Sequence, residues 1–306
     1  MGLWLIIAVV AAYAACIMFV RYRSSVGFPL SRQLTDFSTF MVPFNLPAYL
    51  LSKVPNTPRI GTEHFPELRL IQDNWEVIRD EALALYQHGH IAAKDDLPAS
   101  SFYKNGRWKS FYLKLYDSDI PSARALAPNT MALLDQTPTI NIALFAMLMP
   151  GKKLSNHHDP FAYTLRYSLG LSTPNSEDCA LIVDGEHYTW RDGQSIIFDE
   201  TYFHSAHNHT DVPRIILMTD VDRPLHLRWV QRAYFMFGRF FNSLFAIDNL
   251  DSQRSGIGNR LGKGVLAYSA LLKRIKRRNR TLYKVGKWLI LLGLLGLLVW
   301  RVAFTG

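Results

Sequence analysis

The spacing of hydrophobic positions changes along this chain, and the changes divide it. Gly2 to Val20 is apolar throughout and uncharged, close to the ~20 residues a helix needs to cross a hydrocarbon core. Arg21 and Arg23 follow at once, and no basic residue precedes the run as a cleaved signal would require, so residues 1–23 read as an uncleaved anchor. In 24–62, a membrane-proximal linker, aromatic and aliphatic residues mix with prolines. From Pro66 to Tyr86 the apolar residues, among them Leu68, Ile71, Trp75, Ile78 and Leu85, recur at roughly helical spacing and predict one helix, within which Asp73 or Asn74 can cap a turn.

Beyond that helix the period shortens. Alternating or continuously apolar runs predict strands over 109–116, 139–149, 163–171, 179–183, 187–190, 194–198 and 214–221. Asp184-Gly185 suits a two-residue hairpin, and Arg191-Asp192-Gly193 suits another tight turn. Short strands at such spacing indicate a sandwich or barrel. Trp229 to Ile247 is aromatic-rich but interrupted by Arg232 and Arg239; it suits a helix lying in a headgroup plane equally with one covering a sheet. A second apolar run, Trp288 to Trp300, extends through Arg301 to Gly306 and reads as another anchor over 288–306.

Composition sharpens this division. Of the 306 residues 19% are charged, with 34 Lys+Arg against 25 Asp+Glu. Eleven of the basic residues, and no acidic one, fall between Gln253 and Lys287, which leaves 23 against 25 elsewhere. The basic character therefore belongs to one segment beside the second anchor, within an amphipathic and basic region over 227–287. Positive charge flanking each apolar run on its inner side places both termini outside and the body in the cytoplasm, with anionic lipids as partners of the basic segment. That segment lacks zinc-ligand spacing and aromatic interleaving, so nucleic acid is not a predicted partner. Cys16 and Cys179 are the two cysteines; they build no disulfide framework and fit a reducing compartment.

Six of the ten histidines lie within His157 to His209. On a strand, alternate residues share a face, so His157 and Asp159 can reach one metal while His158 points away. His204, 47 residues on, supplies a second imidazole. Two imidazoles and one carboxylate form the facial triad of non-haem Fe(II) oxygenases, with positions left open for cosubstrate and O₂. Asp199 and Glu200 are candidates to orient a ligand imidazole, and His207 with His209 is a rival ligand pair. Arg214 enters a buried strand ten residues after His204 and should meet a carboxylate. The far carboxylate of a dicarboxylic 2-oxo acid suits it.

These residues sit in a longer pattern. Met149-Pro150-Gly151, His157, the run Leu165 to Leu171, the hairpin ending Tyr188-Thr189-Trp190, Ile196 to His204 and Arg214 to Val221 follow in order. Together with the helix Asp73 to Leu83 and the strand near Lys109 to Tyr116, they resemble the aspartyl/asparaginyl β-hydroxylase family. The resemblance implies a mainly β double-stranded β-helix (jelly-roll, cupin-like) core over 63–226, with flanking helices and the two terminal anchors outside it. It also implies an Fe(II)/2-oxoglutarate-dependent dioxygenase that couples hydroxylation to the conversion of 2-oxoglutarate and O₂ into succinate and CO₂, with ascorbate as an accessory reductant. By position, His157, Asp159 and His204 would bind iron and Arg214 the remote carboxylate of 2-oxoglutarate. Arg166, Ser168 and Lys114 would be further cosubstrate contacts. Peptide hydroxylases of the family have Gly where Asp159 stands here, and a serine contact of the family corresponds to Ala146.

A complete His-x-Asp, two anchors and a size near 300 residues resemble the bacterial branch of the family that hydroxylates C2 of an acyl chain on lipid A at the cytoplasmic face of the inner membrane. Lipid A or a related acylated glycolipid is then the implied substrate. A peptidyl aspartyl/asparaginyl hydroxylase of the same fold and a non-catalytic cupin-like membrane protein are the alternatives.

Overall fold

The computed structural model describes residues 2–92, 108–118, 120–244 and 249–250, and further along 264, 271–272, 274–281, 283–287, 289, 293 and 296. The strands are β1 (Arg59–Ile60), β2 (Trp108–Leu115), β3 (Ile140–Leu148), β4 (Lys152–His157), β5 (Thr164–Ser172), β6 (Cys179–Val183), β7 (Glu186–Thr189), β8 (Ser195–Phe198), β9 (His204–Asn208) and β10 (Arg214–Asp222). They form two sheets, of order β1-β8-β5-β10-β3-β2 and β4-β9-β6-β7. All pairings are antiparallel. From β3 to β10 the chain crosses repeatedly between the sheets, which is the strand order of a jelly roll.

Side-chain alternation explains why both faces of the larger sheet are apolar. Phe111, Leu113, Phe145, Met147, Leu165, Leu169 and Leu217 face the helices and are buried there. Leu144, Ala146, Leu148 and Ile216 face the smaller sheet, against Cys179, Leu181 and Trp190. The helical cover comes largely from the predicted 66–86 segment, which is broken in the structure. A 3-10 turn (Pro66–Leu68) leads into Arg69–Asp73, and a second helix runs Trp75–Gln87. The break is at Asn74, whose side-chain Nδ2 donates to the Leu70 carbonyl at 2.8 Å, a local bond that competes with helix continuation. Ile78, Ala82 and Leu85 then form one buried face, where each large aliphatic side chain contributes about 1.5–3 kcal/mol.

The two turns form as their residues dictate. Val183 pairs with Glu186, and Asp184 and Gly185 both take positive φ, 51° and 91°, as a type I′ hairpin requires. Gly193 at φ 70° closes the turn after Arg191.

Three further helices concern the site: α1 (Gly2–Arg23), α3 (Phe37–Leu50), which follows the one-turn α2 (Leu30–Gln33), and the helix Arg228–Ser243. α1 packs along α3 and is fastened at its end by Arg23, which pairs with buried Asp199 and donates to Tyr49 Oη and Thr201 Oγ1 at 2.7 Å each. The helix Arg228–Ser243 covers the fold with one face and leaves another exposed. Val230, Tyr234 and Gly238 are buried, and Tyr234 stacks on Tyr163 with centroids 5.1 Å apart. Trp229, Met236 and Phe240 are exposed, as are Phe37, Phe40 and Leu50 of α3 and much of α1. Among the described residues no helix is long and apolar enough to cross a membrane. The anchor over 288–306 and most of the basic segment over 253–287 lie outside the described residues.

Candidate active site

Between the two sheets lies a cavity of about 300 Å³. Its floor follows from the period of two in β10, since Arg214, Ile216, Met218 and Asp220 all line it. Arg166 and Ser168 of β5 line it too, because they pair with Asp220 and Met218 across the ladder. The smaller sheet contributes Leu154, Leu181 and Ala206, and the helix Arg228–Ser243 closes one side with Phe241 and Asn242.

His157, Asp159 and His204 meet at this cavity, each offering a ligand atom within 4.8 Å of the others. The β4–β9 register sets the two histidines directly opposite one another, with ring centroids 4.2 Å apart. Each ring is held by the carbonyl two residues before it: His157 Nδ1 lies 2.8 Å from the Ser155 carbonyl and His204 Nδ1 2.9 Å from the Tyr202 carbonyl. A carbonyl accepts the Nδ1 proton, so Nε2 carries the lone pair for a metal. His157 Nε2 is 3.7 Å from Asp159 Oδ1. Burial, and then the neighbouring His157, hold His204 down to about 3, so its ring is neutral at ordinary pH. At Asp159 burial pushes upward, but His204, His157 and Arg166 outweigh it and hold the carboxyl at about 2. The donor set is one that suits Fe(II) and leaves coordination positions open.

Asp159 arrives differently from the way the sequence suggested. β4 ends at His157, so Asp159 lies in the loop beyond the strand, where its amide donates to the Glu200 carbonyl at 2.8 Å. His158 does point away, but into a buried position, with Nδ1 2.9 Å from the Thr201 carbonyl. Asp199 joins Arg23 and Arg223 and also accepts from the Thr201 amide and hydroxyl.

Arg166 lines the cavity amid carboxylates, 3.5 Å from Asp159 and 2.6 Å from Asp220, and it also pairs with Glu200. Three acids around one cation cannot all ionise in a buried site. Burial drives Glu200 well above its ordinary value against the pull of Arg166, with Asp220 and Asp159 adding to the rise. Neither Glu200 nor Asp220 stood out in the sequence as a partner of Arg166; Asp220 shares the parity of Arg214 on β10, and that was the available signal. Lys114 does not line the cavity. The β2 ladder shifts register between Tyr112 and Lys114, which breaks the alternation that would have aimed it inward. The charges acting on it are Asp135, Asp117, Asp222 and Arg124. Ala146 is fully buried between the sheets. His207 and His209 stack on one another, with centroids 4.4 Å apart, away from the triad.

Arg214 is the feature that most constrains the chemistry. It is 1% exposed, and its guanidinium sits 4.8 Å from the Trp190 ring and 5.7 Å from the Trp108 ring. Its Nε and Nη2 have no hydrogen-bond partner among the described residues, so the carboxylate the sequence called for is not supplied by them. Burial pulls the guanidinium down to about 10. A buried cation with orphaned donors on a cavity wall fits the carboxylate of a small acid, and 2-oxoglutarate has one at each end.

The family model described as aspartyl/asparaginyl beta-hydroxylase matches residues 72–224. The ornithine lipid ester-linked acyl 2-hydroxylase of Rhizobium tropici is 32% identical over 178 residues, 57% of this chain and 63% of that protein. Aspartate beta-hydroxylase domain-containing protein 2 of Homo sapiens is 28% identical over 188 residues, 58% of this chain and 50% of that protein. The matches thus span less than two thirds of either relative. Among solved structures, a Pseudomonas putida prolyl-4-hydroxylase aligns with TM-score 0.33 and 14% identity, over 50% of this chain and 88% of that one. Half of the sequence matches one family model, and that half carries the His157, Asp159 and His204 grouping: the chain belongs to the aspartyl/asparaginyl β-hydroxylase family.

Proposed function

We propose that this protein is a membrane-anchored Fe(II)/2-oxoglutarate-dependent dioxygenase that hydroxylates C2 of a fatty acyl chain on a membrane lipid, with lipid A as substrate. The observation that carries the reading is the union, in one cavity, of the metal-ligand triad with the unpartnered, buried Arg214. His157, Asp159 and His204 would hold Fe(II), and Arg214 would hold the remote carboxylate of 2-oxoglutarate. Ser168 stands on the same wall as a further polar contact. When bound, iron and 2-oxoglutarate supply with O₂ the oxidising power to break an aliphatic C–H bond, for which acid and base groups alone are unsuited. The residues of the chain do the rest: Trp108 and Trp190 fix the Arg214 guanidinium, and Ser155 and Tyr202 carbonyls fix the ligand rings. Leu144, Leu154, Met218 and Phe241 give the remaining wall an apolar surface that suits an acyl chain and keeps water from the reacting carbon.

Exposed Trp229, Met236 and Phe240, with Phe37, Phe40 and Leu50, would rest in the headgroup region of the bilayer. α1 and the apolar run over 288–306 would be its anchors, and the catalytic body would face the cytoplasm. Ornithine lipid is the second reading, favoured by the Rhizobium tropici relative. The test is mass spectrometry of total lipids from cells with and without the gene, alongside iron-dependent succinate release by the purified protein. A gene-dependent, oxygen-added lipid A species that disappears with His157→Ala is the expected result. Addition to ornithine lipid instead selects the second reading, and no succinate release with any lipid defeats both.

A further inference from the structure

A second hollow, of about 130 Å³, lies where α1 ends. Arg21, Ser24, Ser25, Phe28, Gln33 and His158 line it. His158 is 3% exposed and wedged between Phe28 and Phe203, with ring centroids 5.5 and 5.2 Å away, so it cannot turn. Its Nδ1 proton goes to the Thr201 carbonyl, and its Nε2 has no partner among the described residues. That nitrogen is therefore a buried lone pair awaiting a donor, a costly arrangement unless something supplies one. Across the hollow, Arg21 makes one long contact, to the Phe28 carbonyl at 3.4 Å. The nearby acids are already engaged. Asp184 accepts from the Ser25 and Val26 amides, and Asp36 caps α3 through Ser38. The site thus offers a cation and hydroxyl groups to an anion, and an acceptor to an O–H or N–H.

Its position matters as much as its chemistry. His158 lines this hollow, while its neighbours His157 and Asp159 line the catalytic cavity. A narrow gap between them shares Val20 and Ser24 with the hollow and Asp159 with the cavity. C2 of an acyl chain is bonded to the carbonyl carbon of its ester or amide, so a lipid with C2 at the triad places that linkage, and the polar part of the lipid beyond it, on the side of the cavity from which the headgroup approaches.

We propose that this hollow binds the headgroup of the substrate lipid, taking an anionic group on Arg21 and Ser24 and a hydroxyl or amine donor on His158 Nε2. The assignment rests on the lipid-hydroxylase reading. Phosphorylated-sugar and amino-acid headgroups share that chemistry, and free phosphate offers its anionic half. The test uses the full-length protein in phosphatidylcholine nanodiscs, with lipid A or ornithine lipid compared against the fatty acyl methyl ester that has no headgroup. Arg21→Lys keeps the charge but loses the planar fork, and Ser24→Ala loses one donor. Arg21→Lys should raise KM for the intact lipid about tenfold, Ser24→Ala should raise it less, and both should leave KM for the methyl ester unchanged. Equal shifts on both substrates, or none, overturn the proposal. In the wild-type protein, the ¹⁵N resonance of His158 should move with intact lipid and stay in place with inorganic phosphate. An equal response to phosphate would assign the hollow to free anion and overturn the headgroup assignment. If the wild type turns over neither substrate, the hydroxylase reading fails, and the ¹⁵N response alone decides the hollow.

Discussion

His157 and His204 are direct cross-strand partners in the β4–β9 ladder, and the tilt between their rings is 49°. Two imidazoles of different strands, each tied to a backbone carbonyl two residues before it, have little freedom to part, so a metal bound there would find its donors already in place. A metal that binds the folded site and not the unfolded chain adds stability by mass action, about 2.7 kcal/mol at a hundred times its Kd. Anaerobic Fe(II), or Co(II) in its place, should therefore raise the thermal midpoint of the wild type by several degrees. His204→Ala should show no such rise and should lose iron-dependent succinate release by a hundredfold or more, on the order of what losing a metal's ligand support costs. Differential scanning fluorimetry with and without metal checks the first expectation, and a turnover assay the second.

Arg214 gives a prediction of opposite sign for stability and activity. Its folded-state value of about 10 lies below the ordinary 12.5, so the native state holds this proton less tightly than the unfolded chain. The penalty is present at every pH below about 10 and lifts as the pH rises through that value. Replacing the guanidinium with an apolar side chain of similar length removes the penalty. Arg214→Met should then stabilise the cosubstrate-free protein by about 1–3 kcal/mol while abolishing the rise in thermal midpoint that 2-oxoglutarate gives the wild type. A destabilised Arg214→Met protein that still responds to 2-oxoglutarate would remove Arg214 from the site.

Asp199 ties the end of α1 to the barrel, and its charge should be worth most at neutral pH. Burial pushes its carboxyl up, but Arg23 and Arg223 outweigh burial and hold it below the ordinary 3.8. A depressed carboxylate stabilises the fold above its unfolded value, and that contribution is lost as the pH falls through the folded one. Asp199→Asn should cost about 3–5 kcal/mol at pH 7, since it leaves two buried guanidinium groups facing an amide. The gap between wild type and variant should begin to narrow only as the pH falls below the ordinary 3.8 toward the lower folded value, where the wild-type carboxyl itself takes up a proton. Urea midpoints measured between pH 7 and pH 3 follow both parts.

The parts legible in the sequence are those where one physical demand acts alone. Ile140–Leu148 and Arg214–Asp222 are buried on both faces and read as continuous apolar runs, and the Asp184-Gly185 turn was fixed by its need for two positive φ angles. β4 and β9 were given no bounds by the hydrophobic pattern, although His157 and Asp159 were read as sharing a strand face. The two strand sequences, KKLSNH and HSAHN, are polar, because one lies at a sheet edge and both give residues to the cavity. The His157, Asp159 and His204 grouping was legible from residue type and spacing, but the route of Asp159 was not. It depends on the Glu200 carbonyl, a partner 41 residues away that no local pattern specifies. The acidic partners of Arg166 and the placing of Lys114 off the cavity wall were not legible for the same reason: strand register and a bulge decide them.

Gly238 tests whether the helix Arg228–Ser243 sets access to the cavity. A Cβ at this position would lie 2.0 Å from the Tyr116 hydroxyl oxygen and 2.5 Å from the ring carbon that bears it, both far inside van der Waals contact. Tyr116 is 5% exposed, so relieving the clash displaces its buried ring, the helix or both. Phe241 and Asn242, one turn further on, line the catalytic cavity and would move with the helix. Gly238→Ala should therefore destabilise the fold by about 1–3 kcal/mol, the usual cost of overpacking a filled site. It should also weaken turnover of the acyl substrate through KM while leaving the binding of metal and 2-oxoglutarate intact, since His157, His204 and Arg214 sit on strands, and Asp159 in the loop after β4, that the helix does not carry. Tyr116→Phe removes the atom nearest the new methyl group, so the double variant should recover part of the lost stability and part of the lost KM. If Gly238→Ala binds and turns over the acyl substrate as the wild type does, this helix has no part in shaping the cavity mouth.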